Sequence, residues 1–239
     1  MPDFYLAKLP SYLINSLEAA SIALQFVLVV RYSLKRSLLR YPLLLAYCLT
    51  ASLTGLAEYL VQNYGSYEFL VKLYYADEAG VDLLLFLMVI TFTYRAMEGN
   101  PLRKAAGRVL AGITLFVVVL PFAMYRQAYY NNAGEILNFG AAIMTLVLWT
   151  ALLGARKRDR QLILVCVGLG LQVTTQTIGF GIREMLRSRH EYRWIPDLFM
   201  AAAYLMSILI WWRAFEQPAG SRRIETPVLT ADPAAHGAN

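Results

Sequence analysis

Residues 196–213 read PDLFMAAAYLMSILIWWR, so that fifteen residues without a formal charge stand between Asp197 and Arg213. A helix rises about 1.5 Å per residue and the hydrocarbon core of a bilayer takes about 20 mainly apolar residues. Such a run is too long for a strand and is sized for a membrane span. Its two tryptophans beside Arg213 mark an interface, where ring and charge meet the headgroups.

The same design occurs upstream. Residues 82–95 read DLLLFLMVITFTYR, and the endings match: Tyr94-Arg95-Ala96-Met97-Glu98 then Pro101, against Trp212-Arg213-Ala214-Phe215-Glu216 then Pro218. A second pair of stretches, from Arg40 to Cys48 and from Arg160 to Cys166, also begin alike after basic loops. Apolar runs lie at 12–30, 41–62, 77–94, 105–125, 136–153, 161–182 and 196–212. The expectation is therefore an all-α integral membrane protein with seven transmembrane helices. Helices 1–3 and 5–7 would be parallel three-helix repeats, with helix 4 as the linker that restores chain direction.

Composition agrees, with 58% hydrophobic and 16% charged residues across 239 positions, against the more charged make-up of soluble domains. Residues 1–216 form the membrane domain in this reading. Residues 217–239, with three prolines and two glycines and no apolar periodicity, form a disordered cytoplasmic tail. The third run has the least apolar start, with Asp77, Glu78 and Asp82.

Lys and Arg alternate between rich and poor loops. Fifteen of the 22 fall on one side, in groups beginning at Arg31, Arg95, Arg156 and Arg213. Retained positive charge marks the cytoplasmic face, which puts the amino terminus outside and the carboxyl terminus inside. The net charge of +6 follows from that bias and implies no nucleic acid. Without a basic n-region or a small-residue cleavage pattern, no removable signal peptide is expected. Short loops point to a bacterial inner membrane. Cys48 and Cys166 both fall within spans and read as small packing residues.

An unpaired polar group in hydrocarbon costs several kcal/mol, so polar side chains identify the inward faces. Ser11, Asn15, Glu18, Ser21 and Gln25 recur at helical spacing on helix 1, as do Thr50, Thr54, Glu58 and Gln62 on helix 2. Helix 6 carries Gly168, Gln172, Thr175, Gln176, Gly179 and Arg183. Helices 1, 2 and 6 should meet. Counting the helical rise places Glu18, Glu58 and Asp82 in the outer third, with Asp82 in the first turn of helix 3, where the helix dipole favours a carboxylate. Near the midplane the chain offers only neutral groups: Gln25, Thr145, Gln172, Thr174 and Ser207.

Eleven of the 16 tyrosines fall at or beyond the outer boundary. They form an interfacial belt, and beside carboxylates they also suit an organic cation or a planar ligand. Residues 62–80, which mix aromatic and charged positions, are expected to lie as a short interfacial helix over the mouth. Ligand-binding residues on this reading are Glu18, Gln25, Glu58, Asp82, Gln172, Gln176 and Arg183.

Enzyme chemistry is not indicated. His190 and His236 are the only histidines, so a multi-histidine metal centre is excluded, and there is no glycine-rich phosphate loop or nucleophile elbow. A set of Glu18, Glu58 and Asp82, with Glu78, is the one arrangement that would take a divalent cation through oxygen alone. No cofactor is expected. Helix 7 lacks a lysine between Pro196 and Trp212, which excludes a retinal Schiff base.

The 3+1+3 layout resembles that of SWEET-type sugar transporters, and the seven-helix, outside-start topology is similar to the membrane sensor modules of some bacterial signalling proteins. Both are resemblances of arrangement, with no residue motif to carry a site across. The expectation is a non-enzymatic ligand-sensing or binding module whose pocket opens outward between helices 1, 2, 3 and 6. Its partners would be the lipid bilayer, a small molecule or ion from outside, and a cytoplasmic or membrane protein. The alternatives are a small-solute transporter with a midplane site and an accessory membrane subunit.

Overall fold

The computed structural model describes residues 2–34, 38–64, 66–101, 103–124, 129–154, 159–186, 192 and 194–216. They form seven α-helices: α1 (Pro2–Leu34), α2 (Pro42–Tyr64), α3 (Tyr67–Ala96), α4 (Arg103–Met124), α5 (Tyr129–Leu153), α6 (Arg160–Met185) and α7 (Trp194–Glu216), with a 3₁₀ turn at Leu38–Arg40. The tail 217–239 lies outside the described residues.

Five segments are long and apolar enough to cross a membrane: Pro10–Leu34, Glu68–Ala96, Ile136–Leu153, Arg160–Met185 and Trp194–Glu216. The apolar stretch of α2, Pro42–Glu58, is shorter. The protein is therefore an all-helical chain built to sit in lipid. Large apolar side chains on its outer faces, such as Leu34, Leu53, Phe116, Leu146 and Leu153, are exposed as a bilayer-facing surface requires.

Six helices close a ring in which each packs on the next, in the order α1, α2, α3, α5, α6, α7 and back to α1. Helix α4 stands outside it against α3 and α5, and α3 also touches α6 across the interior. Close approach is made by glycines. A Cβ on Gly140 would meet Val117 at 3.0 Å, and one on Gly170 would meet Trp149 at 3.1 Å, so the absence of side chains at these positions eases the approach of α5 to α4 and α6. Where α3 turns toward α4, Gly99 adopts φ +84°, the left-handed backbone that glycine enters without steric cost.

Capping fixes where helices begin. Ser66 Oγ accepts from the Phe69 amide at 3.4 Å, and Asp159 Oδ1 accepts from the Gln161 and Leu162 amides at 3.0 and 3.4 Å. The Ser66 cap starts α3 far earlier than the apolar run suggests. Residues 67–80, expected as a separate interfacial helix, are instead the first half of α3. Asp82 is thus not in a first turn but midway along a 30-residue helix.

One end of the bundle is basic and aromatic. Arg31 lies over Trp212 (4.9 Å) and Tyr32 (5.5 Å), Arg95 over Tyr41 (4.7 Å), and Arg103 over Tyr94 (4.4 Å). Beneath them a cluster of rings closes the interior. Tyr32 meets Trp212 and Phe215 with centroids 5.6 Å apart, and Tyr41 meets Phe92 at 5.9 Å and Phe215 at 5.8 Å. Tyr47 and Trp211 follow, edge to face at 5.8 Å, with Trp211 Nε1 donating to the Val165 carbonyl at 3.0 Å. A cleft of about 230 Å³ at this end, lined by residues that include Met97, Pro101 and Thr150, contains none of the expected site residues.

Candidate ligand site: an acidic path into the bundle

Hydroxyl groups in these helices are largely satisfied by their own backbone. Thr145 donates to the Ala141 carbonyl at 2.8 Å, Ser207 to Ala203 at 2.9 Å, Ser21 to Leu17 at 2.7 Å and Thr93 to Val89 at 2.7 Å. Such back-bonding is how a hydroxyl tolerates lipid. It removes Thr145 and Ser207 as ligand donors, and Thr174 is exposed. Of the neutral midplane set, the two glutamines remain.

They are joined. Tyr204 Oη donates to Gln25 Oε1 at 2.6 Å, Gln172 Nε2 donates to Tyr47 Oη, and the two tyrosine hydroxyls lie close to each other. The chain Gln25–Tyr204–Tyr47–Gln172 links α1, α7, α2 and α6 through the middle of the ring. Each link lies in a low-dielectric interior, which strengthens it and makes any unpaired end costly. Both ends carry such a group: Gln25 Nε2 and Gln172 Oε1 are buried without a hydrogen-bond partner.

Acids occupy the far half of the bundle. Glu58 of α2 faces Asp77 and Glu78 of α3 and Glu18 of α1, while Asp82 faces Glu78 and Asp77. Asp77 also lies near Thr54 of α2, whose hydroxyl donates to the Thr50 carbonyl at 2.8 Å. Arg183 of α6 is tied to Asp197 of α7, Nη2 to Oδ1 at 2.6 Å, and lies near Tyr74 of α3. Glu18 is exposed and senses Asp197. Gln176 and Glu58 are half-buried, each with one buried oxygen that has no partner.

Depth orders these groups, taking about 1.5 Å per residue from the aromatic end of each helix. Tyr47, Gln25 and Tyr204 stand about 9 to 12 Å in, Gln172 and Asp82 about 18 Å, and Glu18, Gln176, Glu58 and Asp77 about 21 to 25 Å. Asp82 is therefore deeper than the outer third expected of it. The polar groups thus form a series that runs from the acidic end of the bundle to the rings.

The seven expected site residues do not converge on one point. Glu58, Gln176 and Arg183 stand near the acidic end, Asp82 below them, and Gln25 and Gln172 in the tyrosine chain. Among the described residues no three His, Cys, Asp or Glu are placed to share a metal ion, so Glu18, Glu58 and Asp82 do not form the divalent site weighed from sequence. Helices α1, α2 and α6 do not meet as a trio either. Helix α7 stands between α1 and α6, and α6 reaches α2 through the Gln172–Tyr47 bond. The residues missed by sequence are Tyr47, Asp77, Asp197 and Tyr204. The two tyrosines lie within apolar runs without a polar spacing that would single them out, and no spacing on α7 announces a polar face. Cys48 and Cys166 are buried free thiols.

Comparison of the chain with protein-family models, with curated proteins and with solved structures finds no match.

Proposed function

We propose that this is a seven-span protein of the bacterial inner membrane, with its amino terminus outside and its carboxyl terminus in the cytoplasm. Its outward half is a blind polar pocket that binds a small ligand without transforming it. The basic face carries the state of that pocket to a cytoplasmic or membrane partner. One observation carries this reading: buried acceptor oxygens without partners lie along a path that ends at a plate of aromatic rings. A path closed at one end suits capture and sensing. The lysine and arginine bias supports the orientation.

Helix neighbours also support two three-helix units. Exchanging α1 with α5, α2 with α6 and α3 with α7 turns the α1–α7 contact into α5–α3, α1–α2 into α5–α6, and α2–α3 into α6–α7, all of which occur. That symmetry favours a second reading, a transporter in which the units rock about the Gln25–Tyr204–Tyr47–Gln172 chain and the rings act as the inner gate.

Proteoliposomes separate the two. Binding of a solute from a chemical library without its accumulation supports the module, whereas saturable uptake that is lost in Gln172→Ala or Gln25→Ala establishes transport instead. Purified protein that neither binds nor moves any library member, with Glu58→Gln altering only folding yield, leaves an accessory subunit.

A further inference from the structure

We propose that the ligand of this pocket is an organic cation with several N–H groups, an ammonium or guanidinium compound, and that Asp82 is its counter-charge; the assignment rests on the binding reading above. Asp82 is 2% exposed, near the middle of the bundle, and its Oδ2 has no hydrogen-bond partner. The charged groups facing it are the carboxylates of Glu78 and Asp77. A carboxylate at that depth without a cation is expensive, and one that persists there marks a functional position.

The described cations of this half are already engaged. Arg183 pairs with Asp197 and Lys72 with Glu68 at 3.0 Å. Among the described residues no side chain is left to neutralise Asp82, so the positive charge comes with the ligand.

The balance of unpaired atoms gives the ligand's class. In the upper two thirds of the bundle the unpartnered acceptors are Glu58 Oε1, Asp77 Oδ1, Asp82 Oδ2, Gln172 Oε1 and Gln176 Oε1, against the donor Asn138 Nδ2 on α5 and the Ser52 hydroxyl on α2, which can donate or accept, with the donor Gln25 Nε2 nearer the rings. A polyol brings about as many acceptors as donors, and an anion would be repelled. Ammonium and guanidinium groups bring donors only, like the side chains of Lys and Arg. Oxygens spread over α2, α3 and α6 suit a molecule with N–H groups at more than one point better than a metal ion, which needs convergent ligands. At the mouth, Tyr74 and Tyr75 present rings 5.7 Å apart, over which a cation would pass. The competing account is a water that joins Asp82 to Asn138, which occupies the same depth on the adjoining helix.

The test uses the full chain in nanodiscs, titrated with benzylammonium, guanidinium and putrescine, and with the uncharged counterparts benzyl alcohol, urea and 1,4-butanediol. At least one cation is expected to raise the melting temperature and to bind at least tenfold more tightly than its counterpart. Asp82→Asn, which keeps the side-chain volume, should lose that advantage at least tenfold, with each variant compared against its own ligand-free melting point. Wild-type protein supplies a second readout: a lipophilic carbodiimide should modify Asp82, and the binding cation should suppress that modification while its counterpart does not.

Equal binding of cations and counterparts, or full cation binding by Asp82→Asn, overturns the assignment and leaves the binding module standing. Cation-protected Asp82 together with saturable uptake overturns the module and keeps the assignment. Failure of every cation to bind or to protect Asp82 overturns the assignment outright.

Discussion

Two glycines on α6 face the same partner helix but carry different constraints. A Cβ on Gly168 would press on the Trp211 indole, which is held by its bond to the Val165 carbonyl and by its contact with Tyr47. A Cβ on Gly179 would meet the thioether end of Met200, a flexible side chain that can swing aside. Gly168→Ala should therefore cost about 1 to 3 kcal/mol through overpacking, and Gly179→Ala under about 1 kcal/mol. Thermal unfolding in detergent reads both, and equal losses would show that the Trp211 ring is not fixed. Tyr47→Phe tests the polar chain. It leaves the Gln172 amide short of a partner in a dry interior, so a loss of about 0.5 to 2 kcal/mol is expected. An unchanged melting point would mean that water already satisfies these groups.

At the scale of elements, α3 decides how deep the acids reach. Because it runs unbroken from Tyr67 to Ala96, Asp77, Glu78 and Asp82 descend along one rigid rod instead of clustering at a helix start. Gly80 lies within that rod with nothing within 4 Å of where a Cβ would stand. Gly80→Ala should thus stabilise by about 0.5 to 1 kcal/mol through helix propensity and a less flexible unfolded chain. A loss of stability would reveal a break or hinge at that point. The Arg183–Asp197 pair staples α6 to α7, but with side chains 42% and 37% exposed it is screened by solvent. Asp197→Asn should cost no more than about 1 kcal/mol. A double-mutant cycle with Arg183→Gln isolates the pair, and a coupling well above that figure would mean the staple lies in lipid.

For the molecule as a whole, charge divides along one axis, with the arginine–ring contacts of Arg31, Arg95 and Arg103 at one end and the inward carboxylates Glu58, Asp77 and Asp82 in the other half. The basic end should face the cytoplasm. A green fluorescent protein fused after Asn239 should fluoresce in a bacterial host, and an alkaline phosphatase fused there should be inactive. The opposite pattern would invert the orientation and make the acidic path open inward.

Helix content was legible in the sequence because hydrocarbon leaves the backbone no other partners: each of the seven apolar runs lies largely within a helix. The polar stripes of helices 1, 2 and 6 correctly marked Gln25, Glu58 and Gln172 as inward. Less legible was α3, because a serine cap and a mixed, Tyr-rich sequence gave no apolar signal for its first half. Glu18 is more exposed than its stripe implied, because a periodic stripe gives the face of a helix and not how much of that face a neighbour covers.

By itself, the sequence determined that this chain lives in lipid as helices and which side chains are too polar to face it, since transfer energy is a property of each residue. Only the tertiary structure decided that α7 separates α1 from α6, that two tyrosines join two glutamines, and that Asp82 sits deep and unpaired. Those facts depend on which helices touch, and contact between distant segments is set by packing volume and glycine clearance rather than by any local pattern.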